Sequence, residues 1–520
     1  MRTGGTHGGY EIVRDDDGAF AFDIKSGRIF AIHDVLADLL EANPDDPAAM
    51  RRLTDLHDED DLRRARAELE RVRAVGLLPA AAPRDDSPGI LKQSPYCQAT
   101  ILLTDRCNLR CRYCYDGYQG LREAEGGVAM DWPRLRWALD YVFRIVGAGS
   151  EIFDIHFFGG EPLLEFDLMR QAAEYCRGIA RAHRVDVNLS VSTNGLLLTP
   201  EIIRFLADNQ FDVSISLDGP PDAHNRARRF PNGTGSYEAL EPKLDGILAA
   251  EDLYVELAGV LSPVNTDVTE SFRWAYDKGA AAISFTIPKL RSTSSMAVKE
   301  GDLELIKASY TRLAQYLSER TAAEDFGPIA SLIAANDYFG RFIKRVFARE
   351  HLTHRCRAGK DMLAIGADGC LYPCLGFVGM SDWCMGDIKR LPDEKIRDQF
   401  CQQHVDGKTK CRDCWGRYLC GGGCYAHAAM SNDRIDRPDP RDCDLTLHLM
   451  RLAILFVGRL QRQHPDILPR LFSALVRAIP AKHEKFVPPL LRQYMAQNTS
   501  AQPAADARCA HSFQREVASP

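Results

Sequence analysis

The sequence predicts an α/β chain: a parallel sheet wrapped by helices and partly closed as a TIM-type (β/α)6 barrel. Two observations predict it. Six short apolar runs recur along the chain, at 99–103, 154–158, 187–192, 212–217, 255–261 and 283–287. Amphipathic stretches at 132–146, 165–183, 200–209, 237–250 and 267–278 lie between them, and strands alternating with helices call for parallel pairing through crossover helices. The scale agrees. The chain has 520 residues, 45% hydrophobic and 26% charged, with 39 Gly and 27 Pro, a globular composition.

From the N-terminus, residues 1–88 read as a separate unit with its linker. β-like runs at 19–23 and 28–32 flank the turn signal Lys25-Ser26-Gly27, and helical patterns follow at 35–42, 47–56 and 60–75. Strands and then three helices in so short a span predict a winged-helix-like module. The Pro- and Ala-containing segment 79–88 reads as a linker. The barrel occupies 89–350, helical after Lys289, and a cysteine-rich region occupies 351–450. A helical extension fills 451–520 and ends in an Ala/Gln/Ser-rich tail from 497 that is expected to be disordered.

Several classes of partner drop out. A net charge of -7 argues against nucleic-acid binding, which rests on phosphate neutralisation. The most apolar stretch, 452–457, is short and flanked by Arg451 and Arg459, well below the ~18 residues of a membrane span. Residues 1–10 lack the apolar segment of a secretory signal. A soluble cytoplasmic protein is expected.

Cysteine usage is the anomaly. Of 16 cysteines, three lie between Cys107 and Cys114 and ten between Cys356 and Cys443. In a large, unsecreted chain such clustering favours metal over disulfide chemistry. The first group, Cys107, Cys111 and Cys114, follows the first barrel strand as C-x3-C-x2-C. A [4Fe–4S] cube has four irons, so three thiolates leave one open, whereas structural zinc wants a fourth ligand at matching spacing. The next histidine is His156.

This motif, with Tyr113 at its aromatic position, resembles the signature of radical S-adenosylmethionine (SAM) enzymes. The resemblance continues down the barrel. Phe158-Gly159-Gly160-Glu161-Pro162 ends the second run and is similar to the family's GGE motif, implying that Gly159 and Gly160 let the backbone approach SAM while Glu161 pairs with its ammonium group. By the same analogy Asn194, Ser216 and Arg228 contact the ribose and carboxylate of SAM. Arg228 ends His224-Asn225-Arg226-Ala227-Arg228, similar to H-D-x-x-R with Asn225 replacing Asp; Arg226 and Arg229 are the alternative contacts. The family's chemistry is a one-electron cleavage of SAM to a 5′-deoxyadenosyl radical, which abstracts a substrate hydrogen.

Downstream, Cys356-x12-Gly369-x4-Cys374, Cys411-x2-Cys414-x5-Cys420-x3-Cys424 and Cys443 fall in one register. This resembles the seven-cysteine SPASM domain, which carries two auxiliary iron–sulfur clusters, and so implies three [4Fe–4S] clusters in all. Carried over by order, Cys356, Cys374 and Cys424 serve the first auxiliary cluster, and Cys411, Cys414, Cys420 and Cys443 the second. The first lacks an assured fourth ligand. Cys384 is the better candidate, Cys370 and Cys401 are others, and an open iron that takes a substrate thiolate is the alternative. Leu375 follows Cys374 where sulfatase-maturing relatives place an Asp, which disfavours formylglycine formation.

Together these motifs resemble thioether-forming peptide maturases of the sactipeptide or ranthipeptide type and the maturase of the quinohemoprotein amine dehydrogenase small subunit. The implied partners are a precursor peptide or small protein subunit whose leader docks on the N-terminal module, and a flavodoxin- or ferredoxin-type electron donor. The competing enzymatic reading is another radical peptide edit: carbon–carbon cross-linking, epimerisation or side-chain oxidation. The non-enzymatic one is an iron–sulfur electron carrier or peptide-binding scaffold.

Overall fold

Charged residues conceal the first strand. β1 (Tyr10–Asp15) pairs with β2 (Gly18–Asp23), and β3 (Ile29–Ile32) completes an antiparallel sheet with β3 on one edge. The sequence pattern predicts β2 and β3 but not β1. Glu11 lies fully buried in β1 because Arg451 donates to its carboxylate at 2.9 Å. Helices α1 (Asp34–Glu41), α2 (Pro47–Leu56) and α3 (Glu59–Ala74) follow. The Asp46 side chain caps α2, with Pro47 in its first turn.

The computed structural model describes residues 9–42, 46–74, 94–114, 127–250, 252–390 and 392–478. The expected linker 79–88 and the tail from 497 lie outside them.

The barrel runs β4 (Tyr96–Thr104), α4 (Trp132–Tyr141), β5 (Ile152–Gly159), α5 (Phe166–His183), β6 (Asp186–Thr193), α6 (Pro200–Asp208) and β7 (Asp212–Ser216). It continues through α7 (Pro221–Ala227), α8 (Tyr237–Leu248), β8 (Tyr254–Val260), α9 (Val268–Asp277) and β9 (Ala282–Thr286). All six apolar runs are strands, and β4 to β9 are parallel neighbours in chain order. Burial alternates along them as a pleat requires. On β5, Phe153, Ile155 and Phe157 pack under the helices while Asp154, His156 and Phe158 face the other side.

Helices α10 (Glu300–Ala322), α11 (Gly327–Ala334) and α12 (Tyr338–Ala348) lead into the cysteine-rich region. There the chain returns to the barrel sheet. β10 (Met362–Ile365) lies parallel to β4, with Met362 opposite Gln98, and β11 (Leu371–Tyr372) pairs antiparallel outside it. The sheet thus has eight strands, β11-β10-β4-β5-β6-β7-β8-β9. Four short helices follow, α13 (Glu394–Cys401), α14 (Thr409–Arg412), α15 (Arg417–Cys420) and α16 (Tyr425–Asn432), of which the first three carry Cys401, Cys411 and Cys420.

The long α17 (Pro440–Gln463) and α18 (Leu468–Ala478) close the described chain, and α17 runs unbroken through the expected boundary at 450. The N-terminal module rests on this part: Arg459 pairs with Asp15, and Phe22 meets Trp415 edge-on at 6.2 Å between centroids. Among the described residues no helix is long and apolar enough to cross a membrane.

Candidate active site and auxiliary cysteine sites

The loop after β4 carries Cys107, Cys111 and Cys114, all half-buried, and backbone bonds from both sides hold it. Arg110 N–H donates to Arg229 O at 2.7 Å and Arg112 N–H to Ala227 O at 2.9 Å. On the β5 side, Gly160 N–H donates to Thr104 O at 2.7 Å and Glu161 N–H to Arg106 O at 2.9 Å. Here the two glycines are needed for chain packing. A Cβ on Gly159, at φ +144°, would lie 2.3 Å from Thr104 O, and one on Gly160 2.2 Å from Arg106 O. What approaches them is the cysteine loop itself.

Glu161 lies at 0% exposure. Its carboxylate accepts from Thr193 Oγ1 at 2.7 Å, Asn194 N–H at 2.8 Å and Leu163 N–H at 3.1 Å. Burial pushes its carboxyl above the usual range, and these three donors oppose the rise. The side chain is therefore held at the end of β6. Asn194 in turn donates to Asn108 Oδ1 at 2.7 Å, while its Nδ2 lies 4.0 Å from Cys107 Sγ. Leu109 N–H donates to Cys107 Sγ at 3.3 Å.

Tyr113 is buried, and its hydroxyl donates to Asp218, which follows β7. Arg228 donates through Nε and Nη2 to Asp218 Oδ1 at 3.1 and 3.0 Å, and its guanidinium lies 5.5 Å from the centroid of the Tyr113 ring. Val260 N–H adds a third donor to the same oxygen at 3.0 Å. Asp218 thus joins the cysteine loop, β7, β8 and Arg228. Its signal was its position one residue past the β7 run.

Ser216 ends β7, half-buried, opposite Ala258 of β8. Arg226 and Arg229 spend donors on backbone carbonyls, of Val264 and Asn225. Asn225 also has a physical reason to replace Asp. Its Nδ2 donates to both oxygens of Glu238, at 2.9 and 3.1 Å, where a carboxylate would repel.

The cysteine-rich region brings together two thiol sets. Burial, then the Cys356 thiol beside it, pushes the Cys374 thiol up to about 12, with Cys424 adding and the Lys289 ammonium opposing. Cys424 itself falls below its ordinary value: burial raises it, but Lys289 leads the cations that lower it. Asp442 Oδ2 accepts Cys424 N–H at 3.2 Å. The other set is Cys411, Cys414, Cys420 and Cys443. Burial pushes Cys411 up to about 12, opposed by Lys408 and reinforced by Cys420 and Cys414. Burial also raises Cys443, whose next neighbours are Cys420, Asp442 and Cys411. Gly421 lies between the sets at φ +79°, where a Cβ would come within 2.4 Å of His354 O.

Cys384 and Cys370 pack against the same apolar cluster as Cys356, Cys374 and Cys424. Cys384 is a thiol neighbour of Cys370, and its Sγ donates to Gly386 O at 3.4 Å. Cys401 is buried near Lys360 and Arg397.

The donor chemistry fits iron–sulfur clusters. Among the described residues no three His, Cys, Asp or Glu side chains converge on one ion, and a cube needs no such convergence because its thiolates bind different irons. Lys289 and Lys408 beside the two sets are cations that would offset thiolate charge.

Comparisons with known proteins agree with this architecture. The Radical SAM superfamily model matches residues 101–245. The cysteine-type anaerobic sulfatase-maturating enzyme of Clostridium perfringens is 23% identical over 66% of this chain and 90% of its own. The radical SAM cyclopropyl synthase TigE of Paramaledivibacter caminithermalis is 24% identical over 68% and 73%. The mycofactocin maturase MftC of Mycobacterium tuberculosis is 26% identical over 67% and 82%. A solved structure of anSMEcpe with bound AdoMet superposes with a TM-score of 0.57 at 18% identity, covering 72% of this chain and 98% of that one. That likeness is one of fold.

Proposed function

Residues 101–245 of this chain are a radical SAM domain, and from that premise we propose a maturase that links a Cys sulfur to a carbon within a ribosomally made peptide. When bound, SAM and a [4Fe–4S] cluster at Cys107, Cys111 and Cys114 supply the 5′-deoxyadenosyl radical that removes the substrate hydrogen. The chain's own residues set the geometry. Tyr113, Asp218 and Arg228 brace the cysteine loop from the β7–β8 side, and Gly159, Gly160 and Glu161 brace it from the β5–β6 side. Asn194 and Ser216 complete the SAM contacts at the strand ends, and Arg228 serves the SAM carboxylate from its anchored position.

One observation carries the thioether reading: the surroundings of Cys356, Cys374 and Cys424. These residues flank β10–β11 on one side of the open sheet, and Lys289, just past the opposite edge strand β9, reaches them. The apolar cluster around them includes Leu102 and Phe158, at the ends of β4 and β5. A first auxiliary cluster there would border the gap in the barrel and would take up the one electron released when the substrate sulfur, its thiol proton lost to solvent, bonds to the carbon radical. Cys384 keeps company with Cys370, which favours leaving the fourth position to the substrate's cysteine. Cys411, Cys414, Cys420 and Cys443 would hold a second auxiliary cluster, making three [4Fe–4S] clusters in all. The precursor's leader binds the N-terminal module as an added strand, and a flavodoxin- or ferredoxin-type protein supplies electrons.

A second reading, carbon–carbon bond formation, is favoured by the resemblance to TigE, named a cyclopropyl synthase. Mass spectrometry of the modified precursor separates the two. Thioether formation predicts loss of two hydrogens and one thiol that iodoacetamide no longer alkylates. Loss of two hydrogens with every thiol still alkylated would move the product to a carbon–carbon or carbon–oxygen bond.

A further inference from the structure

Lys289 has no part in the motifs. It lies three residues past the end of β9, and its segment is tied down by His427, whose Nε2 lies 3.3 Å from Pro288 O. His427 lies in α16, which begins directly after Cys424, and its Nδ1 is 3.8 Å from Asp442 Oδ1. The side chain runs into the first auxiliary set. The point where Gly376 would carry a Cβ is 3.8 Å from Cys374 Sγ and 3.9 Å from Lys289 Cδ. The groups that act on its ammonium are the Cys424 thiol first, then Tyr338, the Cys374 thiol and the Asp442 carboxylate. A surface lysine would extend into water. This one spans from the far edge of the sheet to a group of thiols.

We propose that Lys289 is the positioning residue of the first auxiliary site, its ammonium balancing the negative charge gathered on Cys356, Cys374 and Cys424 and tying the β9 edge to them. The inference rests on the reading that these three cysteines hold a cluster. Burying three thiolates and a sulfide-bearing cluster concentrates negative charge in a poorly solvated place, which is costly without a nearby cation. Net charge and outer contacts set cluster potentials. A fixed cation stabilises the more negative, reduced form, so its removal lowers the reduction potential.

The test uses the full chain with Cys107, Cys111 and Cys114 replaced by Ala, so that the auxiliary clusters are read alone by EPR-monitored redox titration. Lys289→Met should move one midpoint at least tenfold in the one-electron equilibrium, about 59 mV more negative. The other midpoint should stay fixed, and Lys289→Arg should restore the first. Two unchanged midpoints, or two that move together, would overturn the assignment. If Lys289→Met loses about four irons instead, Lys289→Arg decides: retained iron supports the charge role, and equal loss overturns it. Iron analysis of Cys374→Ala reports separately on the underlying reading, because unchanged iron there would mean that the three cysteines hold no cluster.

Discussion

Asp442 Oδ2 accepts the backbone N–H of Cys424 at 3.2 Å, and Asp442 is the residue before Cys443. One carboxylate therefore joins the two auxiliary cysteine sets through the start of α17. Burial works against its charge, but His427 and Arg355 hold its carboxyl well below the usual range. Asp442→Ala should release Cys424 and cost about four irons per chain from the first auxiliary site, while Asp442→Asn, which keeps an acceptor oxygen, should cost less. Full iron retention in Asp442→Ala would show that Cys424 needs no such anchor.

Gly160 offers a steric test of the catalytic loop. A Cβ there would lie 2.2 Å from Arg106 O and 2.6 Å from Asp105 O, both backbone atoms that cannot swing aside. Gly160→Ala should cost about 1–3 kcal/mol and displace the Cys107 loop, with loss of SAM cleavage. Gly178, inside α5 with nothing within 4 Å of its would-be Cβ, is the control. Gly178→Ala should stabilise by about 0.5–1 kcal/mol in denaturant titration.

Asp218 receives donors from Tyr113, Arg228 and Val260. Removing it strands a buried guanidinium, so Asp218→Ala should destabilise the fold by about 3–5 kcal/mol. Asp218→Asn, which keeps one acceptor oxygen, should be milder. Urea denaturation of the two variants distinguishes these outcomes; equal midpoints with the wild type would mean that the network is dispensable.

Glu11 gives a pH signature to the docking of the N-terminal module. Burial raises its carboxyl from 4.5 to about 7 despite the Arg451 charge. With the folded value above the unfolded one, the folded chain binds more protons across this window, so this group's contribution is full below 4.5 and lost as pH rises through about 7. Glu11→Gln should remove that component. Melting temperatures of variant and wild type should therefore diverge between pH 6 and 8.5 in the variant's favour, and parallel curves would refute the assignment.

The β3 edge tests leader capture. Asp23 N–H donates to Arg28 O, and the ladder alternates from there, so Ala31, opposite Phe20, turns its N–H away from β2 toward the free edge. Ala31→Pro should spare the fold and block strand addition, weakening precursor binding by about tenfold or more. An unchanged dissociation constant would redirect the leader elsewhere.

Legibility followed the range of the interactions. The six barrel strands were readable because each buries local apolar residues, and the seven cysteines because their spacing is local. β1 was missed because Glu11, Arg14 and Asp15 break its apolar pattern, and Glu11 is buried only through Arg451, far along the chain. β10 and β11 have four and two residues, and nothing local announces that Met362 will pair with Gln98. Asp218, Asp442 and Lys289 gain their roles from neighbours that only the folded topology supplies. The glycines of the Gly-Gly-Glu motif were readable as a close approach, but not which chain segment approaches.

If Cys107, Cys111 and Cys114 form the site of radical generation, SAM cleavage must disappear when all three are replaced by Ala. With dithionite and SAM, the wild type should release 5′-deoxyadenosine. The variant should release none, hold about four fewer irons per chain and keep its auxiliary clusters. Formation of 5′-deoxyadenosine by the triple variant would contradict the account.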